Sequence, residues 1–389
     1  VTPRLVPADE GWWCIAAGKV AHLPPDAVMA GELTSEAQEA LDAHDFFTAP
    51  PRPFAVTVLT TTSCNLGCAY CFQNVGESTS NTFAPLRIAR TLMDKATIDR
   101  AAAFVQRRMN DLGFSDVSLL LFGGEPLLNP QACLGMLRVL QPLGLTHAEM
   151  ISNSVLLRPT LARQLHTAGL RRIQVTFDGG RDTHNQIRVD HRGAGTYERI
   201  FTNIQAAADA TDLDWHFRVN ISHHTLAGIP ALIDDLGTLA LPRPASIHLA
   251  LIDDIGIGYE NQITYTDALA MQFIELVDHA MAAGLTVPVT SNSLKDCPFC
   301  SEFAGGSGSV INADGTLYSC WETAGRAEWA VGTIDDGYLP PSQIRDRWVA
   351  CDYATAAHGL PDDVRTFHNT IDAHILQRTH RPRLTTASA

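Results

Sequence analysis

The chain has 389 residues, 46% of them apolar and 18% charged, a globular balance that excludes a wholly disordered chain. Its length allows two or three domains and a sizeable core without disulfide staples. Lys and Arg number 28 against 42 Asp and Glu, a formal net charge of −14. That sign argues against nucleic acid or an anionic membrane as partner. No apolar run approaches the ~20 residues of a membrane-spanning helix, and the first residues lack a basic-then-apolar signal pattern.

Residues 1–52 form a preface. Trp12-Trp13-Cys14-Ile15 reads as one short strand, and Ser35 with Gln38 as a capping box opening a helix to about Asp45. Ala49-Pro50-Pro51-Arg52-Pro53 is a stiff linker. The preface is expected to be either a packing cap or a reduced peptide-recognition element.

Strand and helix patterns alternate through residues 53–286. Expected strands are Ala55–Thr61, Val117–Phe122, Ala148–Ser152, Arg171–Phe177, Trp215–Ile221 and Ser246–Ile252. Amphipathic helices are expected near 97–112, 130–141, 159–168, 197–208, 227–240 and 266–283. Repeated strand–helix units imply an α/β fold with a parallel sheet and right-handed crossovers, here a partial (β/α)6 TIM-like barrel. Chemistry in such a fold belongs at the C-terminal strand ends.

The pattern breaks over residues 287–353. Cys297-Pro-Phe-Cys300 and a Gly-rich stretch precede two short apolar segments flanking Asp314-Gly315, a hairpin signal. This reads as a small cysteine-bearing module. Residues 354–389 form a partly helical tail, whose histidines His358, His368, His374 and His380 are expected at the surface.

The nine cysteines are clustered, which in a chain of this size suggests metal or redox chemistry in a reducing, cytoplasmic compartment rather than a secreted disulfide framework. Cys64, Cys68 and Cys71 follow directly on the first barrel strand. Four-iron clusters are normally held by four cysteines, so three leave one iron open to a small molecule. Structural zinc prefers four protein ligands and is the competing reading. Cys14 and Cys133 lie in apolar surroundings and read as buried, inert thiols.

Cys64-x3-Cys68-x-Tyr70-Cys71 resembles the radical S-adenosylmethionine (SAM) superfamily. So do Gly123-Gly124-Glu125-Pro126, Phe177-Asp178-Gly179 with His184 and Arg188, and Arg218-Val219-Asn220. Phe177 and Asn185 depart from the peptide-modifying members' pattern. The resemblance implies SAM and a catalytic [4Fe-4S] cluster on Cys64, Cys68 and Cys71. It implies Gly123, Gly124 and Glu125 at the SAM ammonium and Arg188 at its carboxylate. Ser152 would help at the carboxylate or ribose, Asn220 at the ribose and Tyr70 at the adenine.

Cys300, Gly315 and Cys320 are similar to the opening of a SPASM/twitch extension, which implies one auxiliary iron–sulfur cluster on Cys297, Cys300, Cys320 and Cys351; zinc is the alternative. Enzymes with this extension imply a peptide substrate. The expected activity is therefore oxidative crosslinking of a precursor peptide in maturation of a ribosomally made natural product, with flavodoxin or ferredoxin as electron donor. Alternatives are peptide epimerisation, a radical dehydrogenase or rearrangement enzyme acting on a small metabolite, and a non-catalytic iron–sulfur or zinc protein. Asp253, Asp254 and Tyr259 are candidate proton or hydrogen relays, or else a solvated turn.

Overall fold

Alternation of apolar strands with amphipathic helices from Phe54 onward produces a largely parallel sheet in the computed structural model. It describes residues 3–68, 71, 88–252, 263–289, 299–300, 302–349 and 361–380. Ahead of that sheet, β1 (Arg4–Ala8), β2 (Gly11–Ala16) and β3 (Lys19–Leu23) form an antiparallel sheet of their own. A minimal hairpin of β4 (Val28–Met29) and β5 (Glu32–Leu33) leads to α1 (Ser35–Asp42). The single strand expected here is thus the middle of three. The helix cap lies one residue earlier than expected, because Thr34 Oγ1 accepts from the Ala37 N–H at 3.3 Å.

Six strands follow: β6 (Phe54–Leu59), β7 (Val117–Phe122), β8 (Leu145–Ser152), β9 (Arg172–Phe177), β10 (Asp214–Ile221) and β11 (Ser246–Leu251). They pair in sequential order, and every pairing among them is parallel. Crossovers run through α2 (Lys95–Leu112), α3 (Pro130–Leu140), α4 (Pro159–Thr167), α5 (Arg181–Ile187), α6 (Tyr197–Ala208) and α7 (Ile229–Gly237), and α8 (Asp267–Ala282) follows β11. Helix starts are set by local chemistry: Asp94 accepts from the Thr97 N–H at 2.7 Å, and Thr266 Oγ1 from the Leu269 N–H at 3.2 Å. The period-2 pattern of the strands divides their faces. Ile173, Val175, Phe177, Trp215, Phe217 and Val219 join the main core.

The C-terminal hairpin is continuous with this sheet. β12 (Gly308–Ile311) pairs in parallel with β6, and β13 (Thr316–Tyr318), β14 (Gly332–Thr333) and β15 (Gly337–Tyr338) extend it antiparallel. Gly315, at φ +89°, supplies the turn at the Asp-Gly signal. After the short α9 (Pro341–Ile344), the tail forms α10 (Asp362–Thr379).

Helix α10 packs on α8 and receives β1, with Val6, Trp13 and Leu376 in one apolar cluster and Arg4 paired to the fully buried Asp372 at 2.5 Å. Of the tail histidines, His358 lies outside the described residues, His380 is exposed as expected, and His368 and His374 are partly buried. His374 contacts Asp278 at 2.8 Å, and His368 and His380 lie edge-on to Phe367 and Trp13. Among the described residues, no helix is long and apolar enough to cross a membrane.

Candidate active site

The cysteine loop leaves β6 at its C-terminal end, where the strand-end rule for such folds puts chemistry. Its entry is tied down by backbone. Thr62 N–H donates to Thr91 at 3.1 Å, Gly124 N–H to Thr61 at 2.9 Å and Glu125 N–H to Ser63 at 2.8 Å. A Cβ on Gly123 would stand 2.2 Å from the Thr61 carbonyl oxygen, and one on Gly124 would stand 2.2 Å from that of Ser63. Both glycines are therefore required by the close approach of the segment after β7 to the loop that carries the cysteines.

Glu125 is nearly inaccessible, at 1% exposure. Its carboxylate accepts from Leu127 N–H at 3.0 Å, Ser152 Oγ at 2.8 Å and Asn153 N–H at 2.7 Å. Burial pushes its pKa up, and these hydrogen bonds pull against that shift. Glu125 thereby joins the ends of β7 and β8. Asn153, which the sequence did not single out, reaches the cysteine loop: its Nδ2 donates to Asn65 Oδ1 at 2.8 Å and lies 3.9 Å from Cys64 Sγ.

Asp178, His184 and Arg188 also come together. Arg188 Nε donates to the fully buried Asp178 carboxylate. His184 Nδ1 accepts from the Asp178 N–H at 3.4 Å, while its Nε2 lies 3.2 Å from Thr196 Oγ1, which donates to the Arg188 carbonyl at 2.8 Å. This chain of bonds fits a neutral His184 protonated on Nε2. Burial, then the Arg188 charge, lowers its pKa to about 3.

Cys64 and Cys71 are half-buried and Cys68 is buried. Burial, followed by the nearby Glu125 and Cys68, pushes the Cys64 thiol far up; burial takes Cys68 to about 12, with Arg188 pulling the other way. The loop thus does not stabilise thiolates by itself, and bound iron would provide the missing positive charge. Among the described residues, no three His, Cys, Asp or Glu side chains are grouped so as to hold a metal ion. The fit to a cluster rests on the donor set and its electrostatics.

Tyr70, Asp253, Asp254, Tyr259, Cys297 and Cys351 lie outside the described residues. Cys300 and Cys320 are buried, Cys300 in an apolar cluster with Phe299 and Phe122. Trp321 packs on Phe122 at 5.4 Å and on Phe299 at 5.1 Å. The C-terminal segment therefore covers the inner face of β6 to β8, where Leu59, Leu120 and Ile151 join the same cluster. Cys14 and Cys133 are buried, as expected, with thiols pushed up to about 11 and about 12 by burial.

The inner face of β9 to β11 is polar. Register aligns Gln174, His216 and Ser246 in one layer, and Thr176, Arg218 and His248 in the next towards the strand ends. Asn220, one layer higher, accepts from Arg218 Nε at 2.9 Å, and His216 Nδ1 lies 2.6 Å from Ser246 Oγ. Burial lowers both histidine pKa values to about 4, so each is neutral near pH 7.

Residues 58–236 match the sequence profile of the Radical SAM superfamily. A relative from Synechococcus sp. named GTP 3',8-cyclase is 26% identical over 323 residues, covering 74% of this chain and 83% of its own length. Its namesake from Microcystis aeruginosa is 31% identical over 197 residues, and the match spans about half of each protein, 50% here and 54% there. Among solved structures, native anSMEcpe with bound AdoMet superposes at TM-score 0.54 with 14% identity, covering 78% of this chain and 82% of the other. Streptococcus suis SuiB bound to S-adenosylmethionine gives 0.50 at 14% identity, covering 79% and 70%. At such identity these structures show the fold alone.

The relatives named GTP 3',8-cyclase overturn the expected peptide-crosslinking activity, because their printed reaction is on a small metabolite. The expectation had rested on the resemblance of Cys300, Gly315 and Cys320 to a SPASM/twitch opening, whose other expected ligands, Cys297 and Cys351, lie outside the described residues. The superfamily profile over residues 58–236 and a cysteine loop seated at the end of the first parallel strand make this chain similar to the Radical SAM superfamily.

Proposed function

We propose that the protein is a radical SAM enzyme whose substrate is a small polar metabolite, undergoing a cyclisation, rearrangement or dehydrogenation. The observation that carries this reading is the similarity to the Synechococcus GTP 3',8-cyclase, which runs over 323 residues and so extends beyond the matched superfamily segment. The polar inner face of β9 to β11 supports it, since neutral imidazoles, an amide and hydroxyls offer many donors and acceptors to a small ligand.

Cys64, Cys68 and Cys71 would hold a [4Fe-4S] cluster, which would supply the electron for reductive cleavage of SAM and so the means of hydrogen abstraction from a substrate. The chain's own residues bind and orient. Glu125 already accepts three hydrogen bonds, which leaves about one acceptor site for the SAM ammonium. Arg188, whose charge is felt at both Cys68 and Glu125, suits the SAM carboxylate, and Asn220 a ribose hydroxyl. In this reading Ser152 holds Glu125 in place. Cys297, Cys300, Cys320 and Cys351 would hold one auxiliary iron–sulfur cluster, and a flavodoxin or ferredoxin would donate the electron.

Anaerobic assays of reconstituted, reduced enzyme test the reading. GTP, guanosine and other small polar metabolites are added singly, and 5'-deoxyadenosine is quantified. A member of the set should raise its formation well above the uncoupled rate and be converted to an isomer or a product lacking two hydrogens. A background rate raised by no small metabolite would overturn the assignment.

A further inference from the structure

We infer that the hairpin over residues 188–195 is a clasp that holds the cysteine loop in its ligating shape, with His191 as the positioning residue. The inference rests on the reading of Cys64, Cys68 and Cys71 as cluster ligands. Three residues separate Cys64 from Cys68, and two of them are paired to this hairpin. Leu66 forms an antiparallel bridge with Asp190, and the Gly67 N–H donates to the Val189 carbonyl at 3.1 Å. Beside them, His191 Nε2 lies 3.2 Å from the carbonyl oxygen of Cys64, which accepts its proton. The spacing between the first two cysteines is thus fixed from outside the loop, by one bridge with its hydrogen bond and by the His191 contact.

The clasp is shaped and anchored independently of the cysteines. Val189 bridges Gly195, and the Asp190 N–H donates to Ala194 at 3.0 Å. The Asp190 carboxylate accepts from the Arg192 N–H at 2.8 Å and the Ala194 N–H at 3.0 Å, closing the turn. At the base, the Arg188 carbonyl is held by Thr196 and the Arg188 side chain by Asp178. A hairpin rooted in a buried ion pair is a firm support for a loop that must keep three sulfurs in register.

The test uses anaerobically reconstituted holoenzyme challenged with an iron chelator, iron release being followed by absorbance and the reduced cluster by EPR. His191→Ala should release iron about 2- to 12-fold faster than wild type, the factor carried by one lost hydrogen bond. Asp190→Ala, which opens the turn without touching Cys64, should accelerate release as well. His191→Gln keeps an N–H donor and should return both the rate and the EPR line shape towards wild type. Cys64→Ala serves as the control. Iron content indifferent to Cys64→Ala would sink the cluster assignment and the clasp with it. Iron lost with Cys64 but released at the wild-type rate by both His191→Ala and Asp190→Ala would sink the clasp alone. Failure of the Gln variant to restore the rate would remove His191 from the positioning role.

Discussion

Replacing Arg188 with methionine probes the buried ion pair on which the active-site end of β9 depends. Its side chain is 10% exposed and that of Asp178 is fully buried. The substitution strands a carboxylate in the interior, where losing one partner of a buried pair costs about 3–5 kcal/mol. Asp178→Asn strands the guanidinium and should cost a similar amount. The double variant Arg188→Met/Asp178→Asn leaves no charge uncompensated and should recover most of the loss, finishing within about 1–2 kcal/mol of wild type. Urea unfolding of the apo-protein, followed by tryptophan fluorescence, measures all three without any contribution from SAM. Penalties that simply add in the double variant would refute the pairing, as would single variants within about 0.5 kcal/mol of wild type, the scale of ordinary surface changes.

Gly124→Ala places a methyl 2.2 Å from the Ser63 carbonyl oxygen; overpacking of that kind costs about 1–3 kcal/mol, and the variant should show both a lower unfolding midpoint and poorer iron uptake. His184, His216 and His248 have pKa values lowered by burial to about 3, about 4 and about 4. Their depressed folded values mean that the unfolded chain binds more protons below about pH 6.5. Stability should be full above that pH and fall towards pH 4, by up to about 1.4 kcal/mol per pH unit for each histidine; a urea midpoint that does not fall between pH 7.5 and pH 5 would contradict this. Iodoacetamide at pH 8 should leave Cys14 and Cys133 unmodified in the native state, because their thiols titrate near 11 and 12, and mass spectrometry of native-labelled protein checks it.

The parallel sheet was legible because each strand alternates one core face with one inner face over several residues, and Val117–Phe122 matches its expected bounds. Less legible were the short antiparallel strands of the preface. β1 contains Pro7 and carries Arg4, and its partner on α10 is 368 residues away in sequence from Arg4. Helix α5 was missed because its seven residues are nearly all polar. The hairpin at Asp314-Gly315 announced itself through its turn chemistry, but nothing in that turn says that β12 will add to β6.

At the site, the cysteines and the Gly-Gly-Glu run stood out by residue type. The contacts that hold them did not, since the ties to Thr61, Ser63 and Val189 are made by backbone groups every sequence possesses. Asn153 and His191 are single polar residues in loops, a signal too common to single out. The substrate was misjudged because it was inferred from a local resemblance at Cys300, Gly315 and Cys320, and Gly315 there serves the hairpin turn at φ +89°, which carries no information on the ligand.

The claim that Cys64, Cys68 and Cys71 drive SAM cleavage is tested most directly by comparing wild type with the Cys64→Ala/Cys68→Ala/Cys71→Ala variant after identical anaerobic reconstitution and reduction. Wild type should convert SAM to 5'-deoxyadenosine and methionine in equal amounts. The triple variant should form neither above the enzyme-free background while keeping the wild-type circular dichroism spectrum; 5'-deoxyadenosine produced by the triple variant at the wild-type rate would contradict the account.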